Sequence, residues 1–300
     1  MIKDTGHAEW SMQSEIVALW QICFEEKREA IDLFFAHRFR PEHTLVSSVN
    51  GRVAAMLHML PGAISTRYGP VPAHYIYAAA TDPALRAQGL MGELMERAAQ
   101  VGVARGDHYS FLLPANPALY KYYGKHGYLP FFQTNFRAAS RDELAAKVGS
   151  IGAKVSSRQP SPRNLTAARN AWLEGRVGSA VWGEEALDYA VRYAKLYGGQ
   201  LIVVEIDGSL AYALCSGVYE AQCEVLEFVT DDSTERYLLA AMLSAVRAES
   251  YRLRLPADRP LPDAPQCNTH FGMIKPLTAT AQSSLTPAAA GAPYLGLTLD

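Results

Sequence analysis

The 300 residues carry 28 lysines and arginines against 30 aspartates and glutamates, with 49% hydrophobic and 19% charged side chains. At roughly 100–200 residues per domain, this length implies two globular domains with an apolar core each and excludes disordered, collagenous and coiled-coil chains. A formal net charge of −2 offers no sequence-wide basic field for a phosphate backbone, so nucleic acid is not an expected partner.

The opening Met1-Ile2-Lys3-Asp4-Thr5 lacks the apolar core of a signal peptide. No run of about 18 apolar residues follows, so the expectation is a cytoplasmic protein with no membrane partner. Cys23, Cys215, Cys223 and Cys267 show no CxxC spacing and read as reduced thiols, with no metal site. Cys215 and Cys223 are spaced to face each other across a hairpin, which does not require a bond.

Helical spacing of Ile16, Leu19, Trp20 and Cys23, and again of Ile31, Phe34 and Phe35, predicts two helices before Pro41. Residues 44–49 and 53–60 flank Asn50-Gly51, a strong hairpin signal. A Gly/Pro-rich loop is expected over 61–72, then a central strand from Tyr75 to Thr81 ended by Asp82-Pro83. Leu90, Met91, Leu94, Met95, Ala98 and Val101 form one helical face within 88–105, stopped by Gly106. A strand over 108–113, a short helix over 118–125 and a strand over 128–137 complete a mixed α/β unit.

Residues 139–163 read as a linker with one helical turn at 143–148, ending in Gln159-Pro160-Ser161-Pro162. Helices over 167–173 and 185–196, strands over 201–206, 210–218 and 222–229, a helix over 235–250 and a strand over 251–255 then repeat the first unit's order. The chain thus reads as a divergent tandem duplication. A spacer over 278–292 precedes Tyr294 to Asp300, whose alternation predicts a docked strand.

The sharpest chemical signal is Arg86-Ala87-Gln88-Gly89-Leu90-Met91-Gly92, an acid-free loop between a buried strand and an amphipathic helix. Glycines admit a ligand close to the backbone, successive N–H groups form an anion nest, and a helix N-terminus adds about half a positive charge. A Gly-rich strand-to-helix turn without a ligand is the other reading of the loop alone. The corresponding stretch of the second unit, Thr230-Asp231-Asp232-Ser233-Thr234-Glu235, has three acids and no glycine and is not expected to receive a pyrophosphate.

The spacing Arg86-x-x-Gly89, preceded by Tyr75-Ile76-Tyr77-Ala78-Ala79-Ala80-Thr81 and followed by Tyr123-x-x-x-Gly127-Tyr128, resembles the GNAT acetyltransferase superfamily. Its pyrophosphate motif reads (Arg/Gln)-x-x-Gly-x-(Gly/Ala); here Met91 holds the last position and Gly92 follows one step later. The paired N-terminal helices, Met56-Leu57-His58-Met59-Leu60-Pro61, Gln88-Gly89-Leu90-Met91 and the repeated unit resemble the Eis-like branch, over 10–138 well and over 164–277 more loosely.

The resemblance implies an α/β (α+β, mixed-sheet) fold of tandem GNAT-like domains: a catalytic one over 1–138, the 139–163 linker, a degenerate one over 164–277, and the 278–300 spacer and terminal strand. It implies binding of acetyl-CoA, without a metal, and transfer of the acetyl group to a primary amine of a small molecule or peptide. Ala79, Ala80 and Thr81 would meet the pantetheine by strand addition, Arg86, Ala87, Gln88, Gly89, Leu90, Met91 and Gly92 would cradle the pyrophosphate, and Ala115 and Asn116 would flank the pantetheine. Tyr123, four residues before Gly127, would be the general acid, aromatic packing being the competing role. The Eis-like branch uses its C-terminal carboxylate as base, which singles out Asp300 against a purely structural tail, although no third, sterol-carrier-like domain precedes it. Glu25, Glu26 and Asp32 are the other carboxylates considered.

No cysteine occupies an evident nucleophile position beside the loop, so direct transfer in a ternary complex is expected. A non-catalytic CoA-binding sensor or scaffold, or a transferase of another acyl group, is the alternative. Self-association into a homo-oligomer stays open.

Overall fold

A strand precedes the first helix, and periodicity does not reveal it. In the computed structural model, which describes residues 2–151, 160–259, 268–284 and 291–298, β1 (Lys3–His7) lies ahead of α1 (Gln13–Cys23) and α2 (Arg28–His37). Its sequence, Lys-Asp-Thr-Gly-His, has no apolar residue; it is recruited by antiparallel pairing along β2 (Thr44–Val49), Lys3 opposite Val49 and His7 opposite Leu45. The Asn50-Gly51 turn leads into β3 (Arg52–Thr66), which forms a long hairpin with β4 (Gly69–Thr81). The loop expected over 61–72 is therefore the far half of this hairpin. Its prolines fall where pairing is one-sided: Pro61 lies beyond the last β2 partner of β3, and Pro70 and Pro72 precede Ala73, where β4 first meets β5 (Tyr109–Leu112).

Between β4 and β5 runs α3 (Leu90–Ala104), and α4 (Pro117–Gly124) and β6 (Leu129–Pro130) follow. The strand expected over 128–137 is two strands. Pro130 ends β6 after two residues, and β7 (Gln133–Ser140) joins a different sheet. Ser140 and Glu143 form a reciprocal capping box, Glu143 N–H donating to Ser140 Oγ at 3.2 Å and Ser140 N–H to the Glu143 carboxylate at 2.6 Å, so α5 (Arg141–Val148) is a full two-turn helix where a linker was expected.

The second half contributes α6 (Pro162–Trp172), β8 (Ala180–Val181), α7 (Glu184–Leu196), β9 (Gln200–Ile206), β10 (Ser209–Ser216), β11 (Gln222–Val229), α8 (Glu235–Ala245), β12 (Ser250–Pro256) and β13 (Asn268–His270). The chain then returns to the first sheet as β14 (Met273–Pro276) and α9 (Ala279–Ser284). Two units result, Met1–Phe131 with Gly272–Thr286, and Phe132–Phe271 with Pro287–Asp300. Each has a mixed sheet. The first runs β1-β2-β3-β4-β5-β14-β6 and the second β13-β7-β12-β11-β10-β9, parallel only at β4/β5 and β11/β12. No helix among the described residues is long and apolar enough to cross a membrane.

In the first unit α3 buries Leu90, Leu94, Met95 and Ala98 against Leu45, Leu57, Met59 and Ile76 of the sheet. A second apolar layer, Trp20, Phe34 and Phe39, surrounds His58, with ring centroids 5.6, 4.7 and 6.2 Å away. The second unit packs Leu238, Leu239 and Met242 of α8 on Ile202, Val204, Ala213 and Leu253. Cys215 and Cys223 lie in that core as free thiols; Cys267 falls outside the described residues.

The expected terminal strand is a docked, buried segment without strand pairing. Within the second unit, Tyr294 O accepts from Ala180 N–H at 2.9 Å, Leu297 O from the Trp182 indole at 3.1 Å, and Gly296 O from Arg254 at 2.7 Å. Asp300 lies outside the described residues.

Burial makes His58 a pH-dependent element of stability. Its ring bonds the Thr44 hydroxyl at 2.8 Å, and burial pushes its pKa down to about 3. Because this folded value lies below the unfolded value of about 6.5, the unfolded chain binds the extra proton; the contribution is intact above pH 6.5 and is lost as pH falls toward 3. Denaturant unfolding should lose up to about 1.4 kcal/mol per pH unit from this residue below pH 6.5, and His58→Gln should flatten that part of the profile. Superimposable profiles for the two proteins would refute the assignment.

Candidate functional site

β4 keeps its partner β3 as far as Thr81, but its parallel pairing with β5 ends at Tyr75 opposite Phe111. Where the two diverge, the β3 register slips between Met56 and His58, and Ala78 on β4 adopts a left-handed φ of 46°. This is a bulge, and an alanine in that region costs about 1–2 kcal/mol. It leaves the Ala79–Thr81 edge without a strand beside it. Small side chains at 78–80 keep the opening clear.

Beyond Thr81, the Asp82 carboxylate accepts from Ala84 N–H at 2.9 Å and fixes the turn over Pro83–Leu85. Ala87 and Gly89 are both left-handed, with φ of 62° and 82°. Backbone of this kind turns successive N–H groups toward one concavity. Gly89 is the N-cap of α3, and having no side chain it leaves the orphan amides of the first turn uncapped and exposed to an incoming anion. A Cβ on Gly89 would meet nothing nearer than a Glu93 oxygen at 3.9 Å, so its backbone angle, and not crowding, calls for glycine. Arg86 is exposed, its Nε donating to Thr81 O at 3.3 Å, and Lys3 on β1 braces the loop by donating to Gln88 O at 3.2 Å.

Across the opening stands α4, capped by Asn116, whose side chain accepts from Leu119 N–H at 3.3 Å. Together these elements enclose a cleft of about 720 Å³ lined by Ala79, Ala80, Thr81, the whole of Arg86 to Gly92, Asn116 and Tyr123. Of the expected site residues, Ala115 does not line it, and Asp300 lies outside the described residues. Tyr123 packs against Tyr122 and Tyr128, with centroids 5.3 and 6.0 Å away. Burial beside Tyr122 pushes its pKa up to about 12, so the phenol keeps its proton at neutral pH.

Among the wall residues that were not foreseen, two carry titratable groups of chemical interest. His126 lines the cleft beside Gly92, and Cys23 lines it at the end of α1. A cysteine thus stands beside the loop, which its place in the sequence did not reveal. Cys23 is brought there because α1 ends against the β4 edge, its thiol donating to Thr81 O at 3.4 Å. Burial raises its pKa despite the neighbouring Arg86, which keeps it a thiol and not a thiolate. Glu25, Glu26 and Asp32 are not on the wall. The Glu26 carboxylate accepts the Trp20 indole N–H at 2.7 Å, and Asp32 pairs with Arg28 at 2.8 Å.

The matching turn of the second unit is closed by its own acid. The Asp231 carboxylate accepts from the amides of Ser233 and Thr234, both at 2.9 Å, and from the Ser233 hydroxyl at 2.6 Å, bonds that hold its pKa below the usual carboxylate range. The amides that lead into α8 are thus already bonded to a fixed negative group.

Residues 7–130 match the family model of the acetyltransferase (GNAT) domain. No curated protein sequence matches the chain. Among solved structures, Eis1 from Mycobacterium abscessus superimposes with a TM-score of 0.70 at 15% identity, covering 92% of this chain and 74% of that one. GCN5-related N-acetyltransferases from Anabaena variabilis (TM-score 0.74, 15% identity, 93% and 74% covered) and Kribbella flavida (0.70, 17%, 93% and 72%) are similar in the same way. At such identities the likeness establishes the fold, here over both units. The cleft between the end of β4 and the start of α3 thus lies within the residues that match the acetyltransferase (GNAT) domain, and the chain shares the two-unit fold of Eis1.

Proposed function

We propose that the first unit is an acetyl-CoA-dependent N-acetyltransferase that passes the acetyl group to a primary amine of a small molecule or peptide by direct attack in a ternary complex. The observation that carries this reading is the open β4 edge lying beside the uncapped N-terminus of α3. An amide-bearing chain that ends in a pyrophosphate fits that combination: the edge from Ala79 to Thr81 pairs with amides, and the loop from Arg86 to Gly92 takes the phosphates. Thr81 O is already shared by Cys23 and Arg86, which leaves Ala79 and Ala80 to carry most of the edge pairing. Asn116 stands opposite and confines the ligand.

Bound acetyl-CoA supplies the acetyl group as a thioester. Tyr123 holds a proton that neutral water does not remove, and gives it to the sulfur as the thiolate departs. Cys23 stays protonated, so it does not compete as a nucleophile and the amine attacks directly. The described wall of the cleft has no carboxylate to accept the amine's proton. Asp300 is the base in this proposal.

Calorimetric titration should saturate at one acetyl-CoA per chain, because Asp231 fills the corresponding turn of the second unit; a second equivalent would overturn that assignment. Tyr123→Phe should lower kcat by about 10²-fold or more while leaving acetyl-CoA affinity little changed, and an unchanged kcat would remove the acid role. CoA binding by a wild-type chain inert toward every amine tried would favour the sensor alternative. Deleting Asp300 should also lower kcat by about 10²-fold or more and flatten the acid limb of the pH–rate profile. A profile of unchanged shape would reassign the base.

A further inference from the structure

Gly92 sits in the first turn of α3, one step past the position where the GNAT loop pattern places its last small residue, and its backbone angle is not left-handed. Conformation therefore does not explain it, and glycine inside a helix is unfavourable. What requires it is a neighbour. A Cβ at 92 would come to 3.2 Å from Cε1 of His126 and 3.9 Å from its Nε2. The missing side chain lets the imidazole lie against the helix next to the uncapped amides. Tyr122 supports the ring from its own helix at 5.0 Å.

His126 lines the same cleft as Gly89 to Gly92, and among the described residues its ring nitrogens make no hydrogen bond or ion pair. We propose that His126 is a further phosphate-binding residue of this cleft, held over the first turn of α3 by Gly92. The proposal rests on the acetyl-CoA reading above, and it assigns to the pyrophosphate a donor that the loop pattern does not contain.

The groups facing the ring say when it would be charged. Partial burial opposes protonation most, Lys275 on β14 and Lys125 beside the ring oppose it too, and Glu96 on α3 favours it, so the imidazole lies below its ordinary value without a ligand. A pyrophosphate between the ring and the amides opposes that balance, since it adds negative charge beside the imidazole and favours its charged form. The bound state then holds the proton more tightly than the free state. Binding takes up a proton, and affinity falls as pH rises through the bound-state value.

The probe is 3′-dephospho-acetyl-CoA, because the 3′-phosphate of CoA itself titrates near pH 6 whereas the pyrophosphate diester does not. Calorimetry at pH 6 and pH 8, in buffers of different ionisation enthalpy, should show proton uptake and several-fold tighter binding at pH 6. His126→Gln should bind about tenfold more weakly at pH 6, take up no proton and lose the pH dependence. Gly92→Ala keeps the histidine but takes its seat, and should shift affinity in the same direction, with thermal melting confirming that both variants fold. S-acetylpantetheine, which has no phosphate, should bind wild type and His126→Gln alike. If His126→Gln keeps the wild-type pH dependence, or if S-acetylpantetheine is equally affected, the proposal is overturned while the acetyl-CoA reading stands. If wild type binds neither acetyl-CoA nor its dephospho form at any pH, the acetyl-CoA reading fails and takes this proposal with it.

Discussion

A strand that keeps one neighbour and loses the other leaves a row of backbone donors and acceptors without mates, and such an edge persists only where something else pairs with it. β4 is in that condition beyond Tyr75, where β5 no longer accompanies it. The rest of the site is arranged around this edge. The bulge at Ala78 turns it outward, the alanines keep it accessible, the turn set by Asp82 delivers the chain to Gly89, and α4 closes the far side with Tyr123. Removing the divergence would pair the edge internally and leave the Gly-rich loop with nothing to extend.

The second unit supports this account by showing how the same opening is closed. Its parallel pair β11/β12 also stops early, at Val225 opposite Leu253. Two residues further along β11 is Glu227, buried and held by Arg169 at 2.8 Å and by the Tyr212 hydroxyl at 2.7 Å. The tail bonds to both sides: Arg169 also reaches Leu295 O at 3.3 Å, and Arg254 of β12 reaches Gly296 O. A buried ion pair is weak evidence for stability, because desolvation offsets much of the attraction. Here its evident result is occupancy, with side chains and tail bonded together beside the end of β11, and Asp231 bonded to the Ser233 and Thr234 amides that lead into α8. One fold, with and without its own plug, underlies the proposed division into a binding unit and a packing unit.

How much of this was legible depended on whether the signal was local. The loop from Arg86 to Gly92 was readable because glycine and the absence of acid are properties of a short stretch, and α3 because six apolar residues repeat along one face. β1 was not, since a polar pentapeptide becomes a strand only when β2 offers it an edge. The hairpin through 61–72 was hidden by prolines that are tolerated only because of where the neighbouring strands end. The separate destinations of β7 and β14 were equally hidden, because residues far apart in sequence form each ladder. Cys23 shares the cleft with residues that lie dozens of positions away, so no spacing rule could have joined it; His126 lies inside the Tyr123-x-x-x-Gly127 stretch but at a position that spacing leaves unspecified. The displaced glycine at 92 was a visible clue to His126, but its meaning required the distance.

The near-neutral total charge also acquires a local meaning. Of the cations beside the loop, Lys3 is partly compensated by Glu93 at 3.5 Å and spends a donor on Gln88 O, and Arg86 is exposed to screening by salt. Point charges of that kind contribute modestly to holding an anion in water. Fixed amides are different: they are neutral overall, cost no ordering when the ligand arrives, and act at short range where salt does not intervene. Ala87 and Gly89, whose left-handed angles aim those amides, therefore matter more to the anion than the count of bases. A loop built this way discriminates by shape. In the proposed function it takes a phosphate that can enter the first turn of α3, and not one that cannot, with little dependence on the charge of the protein as a whole.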